Sequence, residues 1–478
     1  MLNTDRVFTS LRSINLVLIG AVLLIMLMMM NASTCLGISA GKGKLNSKLW
    51  KITKLAATTT NATTAWPQIG FDSMHTRRVP YLVDHSDFAT NLSVPFLHDN
   101  SYSYNSVIFH TGLQKLIMPV GQVYSKPNVQ IIYLVGFYLI DVKSGKAEKT
   151  PFQLEQRYSM ENNLLLDSKG MLYVPVYDNL NRSGTSLLKI NTNDWTSFSI
   201  TPLTPSYQQV SSIISEENNC LVFLASKWLS CIDLDNPKNV KWNITTPEEP
   251  YGASQMLMAR EKDQDFIYVS LMHYIMKISV SSGKVINSVS IGTYFLSSIN
   301  HMGVDGFLSF SFSNPTHFGV MHVDSGNYNS VPHFGIVGVG FMVSLTYLDH
   351  SLLSSYVFKT VVFSSEARTT SRAIHIYTTL VHVSSDTSVK ISKPFAFFGT
   401  DLNTSYEVPR ASIAKDNSKL VYYTNGSYSV FDISKGKVEK VVPSKWNFGY
   451  ANIITADNGR VYSMVENANL GLESYKLQ

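Results

Sequence analysis

Residues 266–288 read FIYVSLMHYIMKISVSSGKVINS, and the same plan returns at 131–149 as IIYLVGFYLIDVKSGKAEK and at 420–441 as LVYYTNGSYSVFDISKGKVEKV. Each copy opens with a short alternating apolar run, passes a tight polar turn and enters a second alternating run ending in Asp or a similar residue. A Ser-Gly-Lys type of turn and a third short strand follow. Apolar side chains at every second position line one face of a strand, so each copy reads as a small antiparallel sheet. Gly145 and Gly283 supply the positive φ that such turns need, and Asp141, Asp233 and Asp432 stand where a carboxylate caps turn N–H groups.

Weaker copies begin at Met171, Leu221 and Gly306, and two degraded ones lie at 361–389 and at the C-terminus. The eight starts are about 47 residues apart, a propeller-type period rather than an ankyrin or leucine-rich one. A sheet that cannot cover both of its faces must stack on its neighbours, and radial closure removes most exposed edges. The expected architecture is therefore all-β: a seven- or eight-bladed β-propeller over 66–478, preceded by an N-terminal hydrophobic helix. No segment after residue 40 holds a 3.6-residue period through three turns.

The repeat, together with WPQIGFDSMHTRRVPY at 66–81, resembles the PQQ-like β-propeller repeat of the quinoprotein alcohol dehydrogenase-like superfamily. Trp66, Gly70, Asp72, His75, Thr76 and Pro80 match the opening of such propellers in spacing, whereas Arg77 stands where the family continues with Gly. The resemblance implies a β-propeller over 66–478, with Trp66 and Asp72 in structural roles. Quinoprotein dehydrogenases use adjacent cysteines, a Trp platform and a calcium site of Glu, Asn and Asp. This chain has no adjacent cysteine pair, so the resemblance points to a non-catalytic member and no cofactor is called for.

The 478 residues are 45% hydrophobic and only 15% charged, with 25 Tyr and 24 Phe. That composition excludes disorder, coiled coil and collagen, and it disfavours a mostly helical protein. The net charge of +5 includes no module of interleaved basic and aromatic residues, so no nucleic-acid partner is expected. Lys42, Lys44, Lys48, Lys51 and Lys54 form the one basic cluster.

Arg6 and Arg12 precede the uncharged run Leu16–Met30, LVLIGAVLLIMLMMM, and small residues follow it. The run is of h-region length and short for a membrane span. Residues 1–37 are expected to be a signal peptide or a signal anchor, with the propeller on the extracytoplasmic side in either case. Residues 38–65, rich in Lys, Thr and Ala, read as a flexible linker. Contact with a membrane is expected only through the N-terminal segment, if that segment is uncleaved.

Asn-x-Ser/Thr sequons stand at Asn31, Asn61, Asn91, Asn181, Asn243, Asn403 and Asn425. With about 33 Asn and about 19% Ser plus Thr, about six are expected by chance, so their number decides nothing. The last six are candidate N-glycosylation sites. Cys220 and Cys231 bracket an expected hairpin. Were its loop centred on Ala225 and Ser226, the two would face each other as a cross-strand disulfide, and two reduced core thiols are the alternative.

No HExxH or P-loop is present. Glu248 and Glu249, and Asp263 and Asp265, read as solvated turn residues. His317 and His322 flank one strand and are not read as metal ligands. Two functions remain. One is a non-enzymatic binding or scaffold propeller of the secretory pathway or cell surface, monomeric, with a protein or glycan partner. The other is an enzyme, such as a quinone-dependent oxidoreductase, using the propeller channel.

Overall fold

The computed structural model describes most residues between 108 and 332 with their side chains, and the strands of 89–103 and 343–476 chiefly through their backbone. Every described strand lies in the compact unit Ile52–Gln478. The expected N-terminal helix, the linker at 38–65 and the opening at 66–81 lie outside the described residues. No α-helix occurs among the described residues.

The strands form eight antiparallel sheets of four or five strands. In chain order sheets 1 to 5 cover 101–149, 158–204, 210–245, 256–290 and 296–332, and sheets 6 to 8 cover 343–402, 410–443 and 451–476. Sheet 8 takes its fourth strand from the other end of the chain. Ala89–Pro95 pairs antiparallel with Gly471–Lys476, Ser93 opposite Glu473. Consecutive meander sheets closed by the first strand on the last sheet form the all-β, propeller-type topology that the repeat period implies.

Sheet 3 shows why these sequences make such layers. Its strand Cys220–Ala225 is buried at all six positions, because neighbouring sheets cover both of its faces. The outermost strand, Val240–Thr245, is exposed at Val240, Lys241, Asn243 and Thr245, with Trp242 and Ile244 half-buried. Continuous apolar runs thus become inner strands, and polar alternation marks the rim.

An apolar layer separates each pair of consecutive sheets from 1 to 5. Phe137, Phe152, Leu172 and Trp195 pack between sheets 1 and 2. Tyr173, Leu187, Phe223 and Ile232 fill the next layer, and Val222, Cys231, Ile267 and Met276 the one after. Tyr268, Ile299, Phe310 and Met321 close the layer between sheets 4 and 5. Burying one such side chain stabilises by about 1.5–3 kcal/mol.

The copy at 131–149 departs from expectation. IIYLVGFYLI contains no turn; it lies within one 13-residue strand, Val129–Asp141, whose partner Lys115–Lys126 precedes it. The run lacks polar turn residues, and Gly136 is absorbed at a register shift, pairing with Val120 while Gly121 pairs with Leu134. The Ser-Gly-Lys turns behave as read. Gly145 and Gly283 have φ of 71° and 68°, and the Asp141 carboxylate accepts from the Ser144 N–H at 2.7 Å. Asp233 does the same for the N–H groups of Asp235 and Asn236, at 2.8 and 3.0 Å.

Candidate functional site

A buried charged cluster among the described residues joins sheets 4 and 5. Glu261 ends the strand Met256–Glu261, and Lys277 lies in Tyr274–Ser279, directly opposite Tyr268. The Lys277 ammonium donates to Glu261 Oε2 at 2.7 Å and to both Asp324 oxygens at 2.9 Å. Glu261 also accepts from the Tyr268 hydroxyl and, at 2.9 Å, from the Gly306 N–H. Burial opposes the charge on Lys277, yet the hydrogen bonds and charges of Glu261 and Asp324 outweigh it and hold the amine above its ordinary range. Such a saturated network leaves no unused base or nucleophile; it fastens one sheet to the next.

Sheet 2 carries a related Tyr–acid pair, with its lysine bonded to a backbone carbonyl in place of a carboxylate. Lys189 stands opposite Tyr173, the Tyr173 hydroxyl donates to Asp167 at 3.0 Å, and Lys189 reaches across to the Leu234 carbonyl of sheet 3 at 2.5 Å. Burial, then the Asp167 charge, pushes the Tyr173 phenol well up. The signal was present in the repeat, as Tyr third in MLYVPV and in FIYVS with a Lys on the following strand. The acids could not be assigned, because neither lies within the quoted repeat.

A second polar link joins sheets 1 and 2. His110 Nδ1 accepts from the Leu113 N–H at 3.2 Å, which leaves the ring proton on Nε2. Nε2 then donates to Thr192 Oγ1 at 3.1 Å, and the Thr192 hydroxyl donates to the Gly170 carbonyl at 2.6 Å. Desolvation lowers the His110 pKa, with a backbone hydrogen bond opposing it.

Cys220 and Cys231 are brought together, though not as the assumed turn required. The loop is Ser226–Lys227, so Cys220 stands opposite Asp233 and Cys231 opposite Val222. The two cysteines are diagonal neighbours on one face, with Cα atoms 5.7 Å apart and sulfurs at bonding distance, 1.98 Å. Both are buried in the layer against sheet 4.

Of the sequons, Asn91 lies on the closing strand at its register shift and Asn243 is exposed on the outermost strand of sheet 3. Asn61, Asn181, Asn403 and Asn425 lie outside the described residues. The acidic pairs are not merely solvated. Glu248 accepts from the His273 N–H at 2.9 Å and faces its Nδ1 at 3.1 Å, and Glu249 accepts from the Ser226 hydroxyl at 3.2 Å. Asp265 accepts from the Ser215 hydroxyl at 2.6 Å, while Asp263 sits in a turn with φ of 64°. His317 and His322 occupy opposite ends of Thr316–His322; the His322 ring packs on Phe307, with centroids 4.5 Å apart. Among the described residues no group of His, Cys, Asp and Glu is arranged to hold a metal, and no helix is long and apolar enough to cross a membrane.

One cleft of about 580 Å³ opens between the outermost strand of sheet 2 and the outer half of sheet 3. Leu203, Phe223, Trp228, Ile232 and Val240 provide its apolar wall, and Asn243 lies on its lining.

The fold defines a repeat-sheet protein of the propeller type. No protein-family model matches the chain, and no curated protein matches it. Solved structures similar to it include a catalytically inactive virginiamycin B lyase from Staphylococcus aureus with quinupristin, at 13% identity and a TM-score of 0.41, covering 68% of this chain and 97% of that one. The AfRom2 CNH domain is similar at 9% identity and a TM-score of 0.38, covering 66% of this chain and 94% of that one.

Proposed function

We propose that the chain is an eight-bladed, PQQ-like β-propeller that serves as a non-enzymatic binding or scaffold protein on the extracytoplasmic side, delivered or anchored by residues 1–37. The observation that carries this reading is the state of the buried Lys277 cluster. Lys277 donates to Glu261 and Asp324, and Glu261 also accepts from the Tyr268 hydroxyl and the Gly306 N–H, so each group of the cluster already has a partner within the fold. A cluster whose groups bind one another across two sheets serves to fasten those sheets. The paired Cys220 and Cys231 favour an oxidising compartment. The loops that join the sheets would offer the partner, a protein or a glycan, an annular face.

The test is expression of the full chain with a C-terminal tag in a eukaryotic host. The reading expects a tag protected from protease in sealed microsomes, no free thiol at Cys220 or Cys231, and one stoichiometric partner in the extracytoplasmic fraction. A tag digested without detergent, or purified protein with quinone absorbance and dehydrogenase turnover, contradicts it.

A further inference from the structure

We propose that Asn243 carries an N-linked glycan whose first N-acetylglucosamine lies in the cleft between sheets 2 and 3, against the Trp228 indole. Asn243-Ile244-Thr245 is a complete sequon on the outermost strand of its sheet, with no further strand outside it among the described residues. The register places Asn243 opposite Ser230 and Thr245 opposite Trp228. With a side-chain period of two, Asn243, Thr245, Trp228, Ser230 and Ile232 share one face of the sheet. Ile244 and Trp242 turn the other way and pack against the layer toward sheet 4.

The cleft has the chemistry of that sugar. Trp228 and Val240 are each 50% exposed, an apolar surface that a lone chain leaves in water. N-acetylglucosamine has an apolar C–H face and a methyl group, which suit the indole, and hydroxyls that stay in solvent. A single cation, Lys238, is on the cleft lining, so a charged ligand is poorly served there. In the modification, Asn243 Nδ2 forms a bond to sugar C1. The bond from C1 to the diphosphate oxygen of a lipid-linked oligosaccharide breaks, the amide loses one proton, and the lipid diphosphate leaves with the electron pair.

This inference rests on the extracytoplasmic reading, and the experiment separates the two. The full chain is expressed in a eukaryotic secretory host and treated with peptide N-glycosidase in heavy-oxygen water. Peptide masses then locate labelled Asp at former glycan sites, while a thiol count reports on Cys220 and Cys231. Intact wild type, Asn243→Gln, Thr245→Ala and the Asn243→Gln/Trp228→Ala double variant are compared for bis-ANS fluorescence. Label at 243 is expected, with a several-fold dye increase in both single variants that adding Trp228→Ala largely removes. Bare Asn243 beside oxidised cysteines or other occupied sequons overturns the proposal and leaves the compartment reading standing. Occupancy without any dye change overturns the placement against Trp228. Free thiols with no sequon occupied overturn both.

Discussion

Lys277 and Glu261 form a salt bridge of 2.7 Å with both side chains under 5% exposed, 16 residues apart in sequence and on separate strands of sheet 4. Asp324 of the next sheet completes it from a more exposed position. The pair holds because each charge removed from water meets several partners. Stripping one partner leaves the other charge stranded in a low-dielectric layer.

Lys277→Met is therefore expected to lower unfolding free energy by about 3–5 kcal/mol. Adding Glu261→Gln keeps the acceptor for the Gly306 N–H and removes the stranded charge, so part of the loss returns. Urea titrations of the two variants decide this; equal instability of both would mean that the charge pair is not the cause.

Gly283 and Gly292 separate two costs of adding a side chain. Both have positive φ, 68° and 78°, but a Cβ at Gly283 would meet the Trp242 ring at 2.7 Å, while nothing lies within 4 Å at Gly292. Gly292→Ala is expected to cost about 1–2 kcal/mol, the left-handed penalty alone. Gly283→Ala should cost clearly more, because the Trp242 ring and its 2.7 Å hydrogen bond to the Val280 carbonyl must shift. Thermal melts of the two variants measure the difference.

Acid should weaken the link between sheets 1 and 2. The folded state holds His110 neutral, with Nδ1 accepting from the Leu113 N–H, so its pKa lies below the ordinary value near 6.5. The unfolded chain then binds more protons, and the neutral histidine's stabilisation, complete above about pH 6.5, is lost as pH falls toward the folded pKa. His322, also desolvated and accepting from the Ser325 N–H through Nδ1, acts with the same sign. Urea midpoints between pH 7.5 and 5 should fall on acidification, and His110→Gln should flatten that slope.

Reduction should destabilise sheet 3. Closing a loop across a separation of 11 residues stabilises by about 3 kcal/mol, chiefly by restricting the unfolded chain. A urea midpoint that is lower in dithiothreitol, and unchanged by dithiothreitol in Cys220→Ala/Cys231→Ala, is the expected outcome.

What could be read beforehand was local. The period-2 runs, the positive φ of Gly145 and Gly283, and the capping by Asp141 and Asp233 all depend on residues a few positions apart. Three-dimensional partnerships were not legible. Glu261, Lys277 and Asp324 come from three separate strands or turns, and His110 meets Thr192 from 82 residues away. The hairpin expected within 131–141 failed because its apolar run has no turn residue, so pairing with an earlier strand won. The closing strand, ATNLSVP, has too few alternating apolar residues to announce itself. Cys220 and Cys231 were legible as a pair, but a one-residue shift of the turn changed which residues they face.

The strand at 89–95 closes the repeats within one chain by pairing with the last sheet. The most direct test introduces Ser93→Cys and Glu473→Cys, whose positions stand opposite each other in that pairing. Mild oxidation of the monomer is expected to yield a tryptic peptide linked through residues 93 and 473, with a raised melting temperature. Thiols that stay free at both positions in folded protein would contradict closure and, with it, the ring.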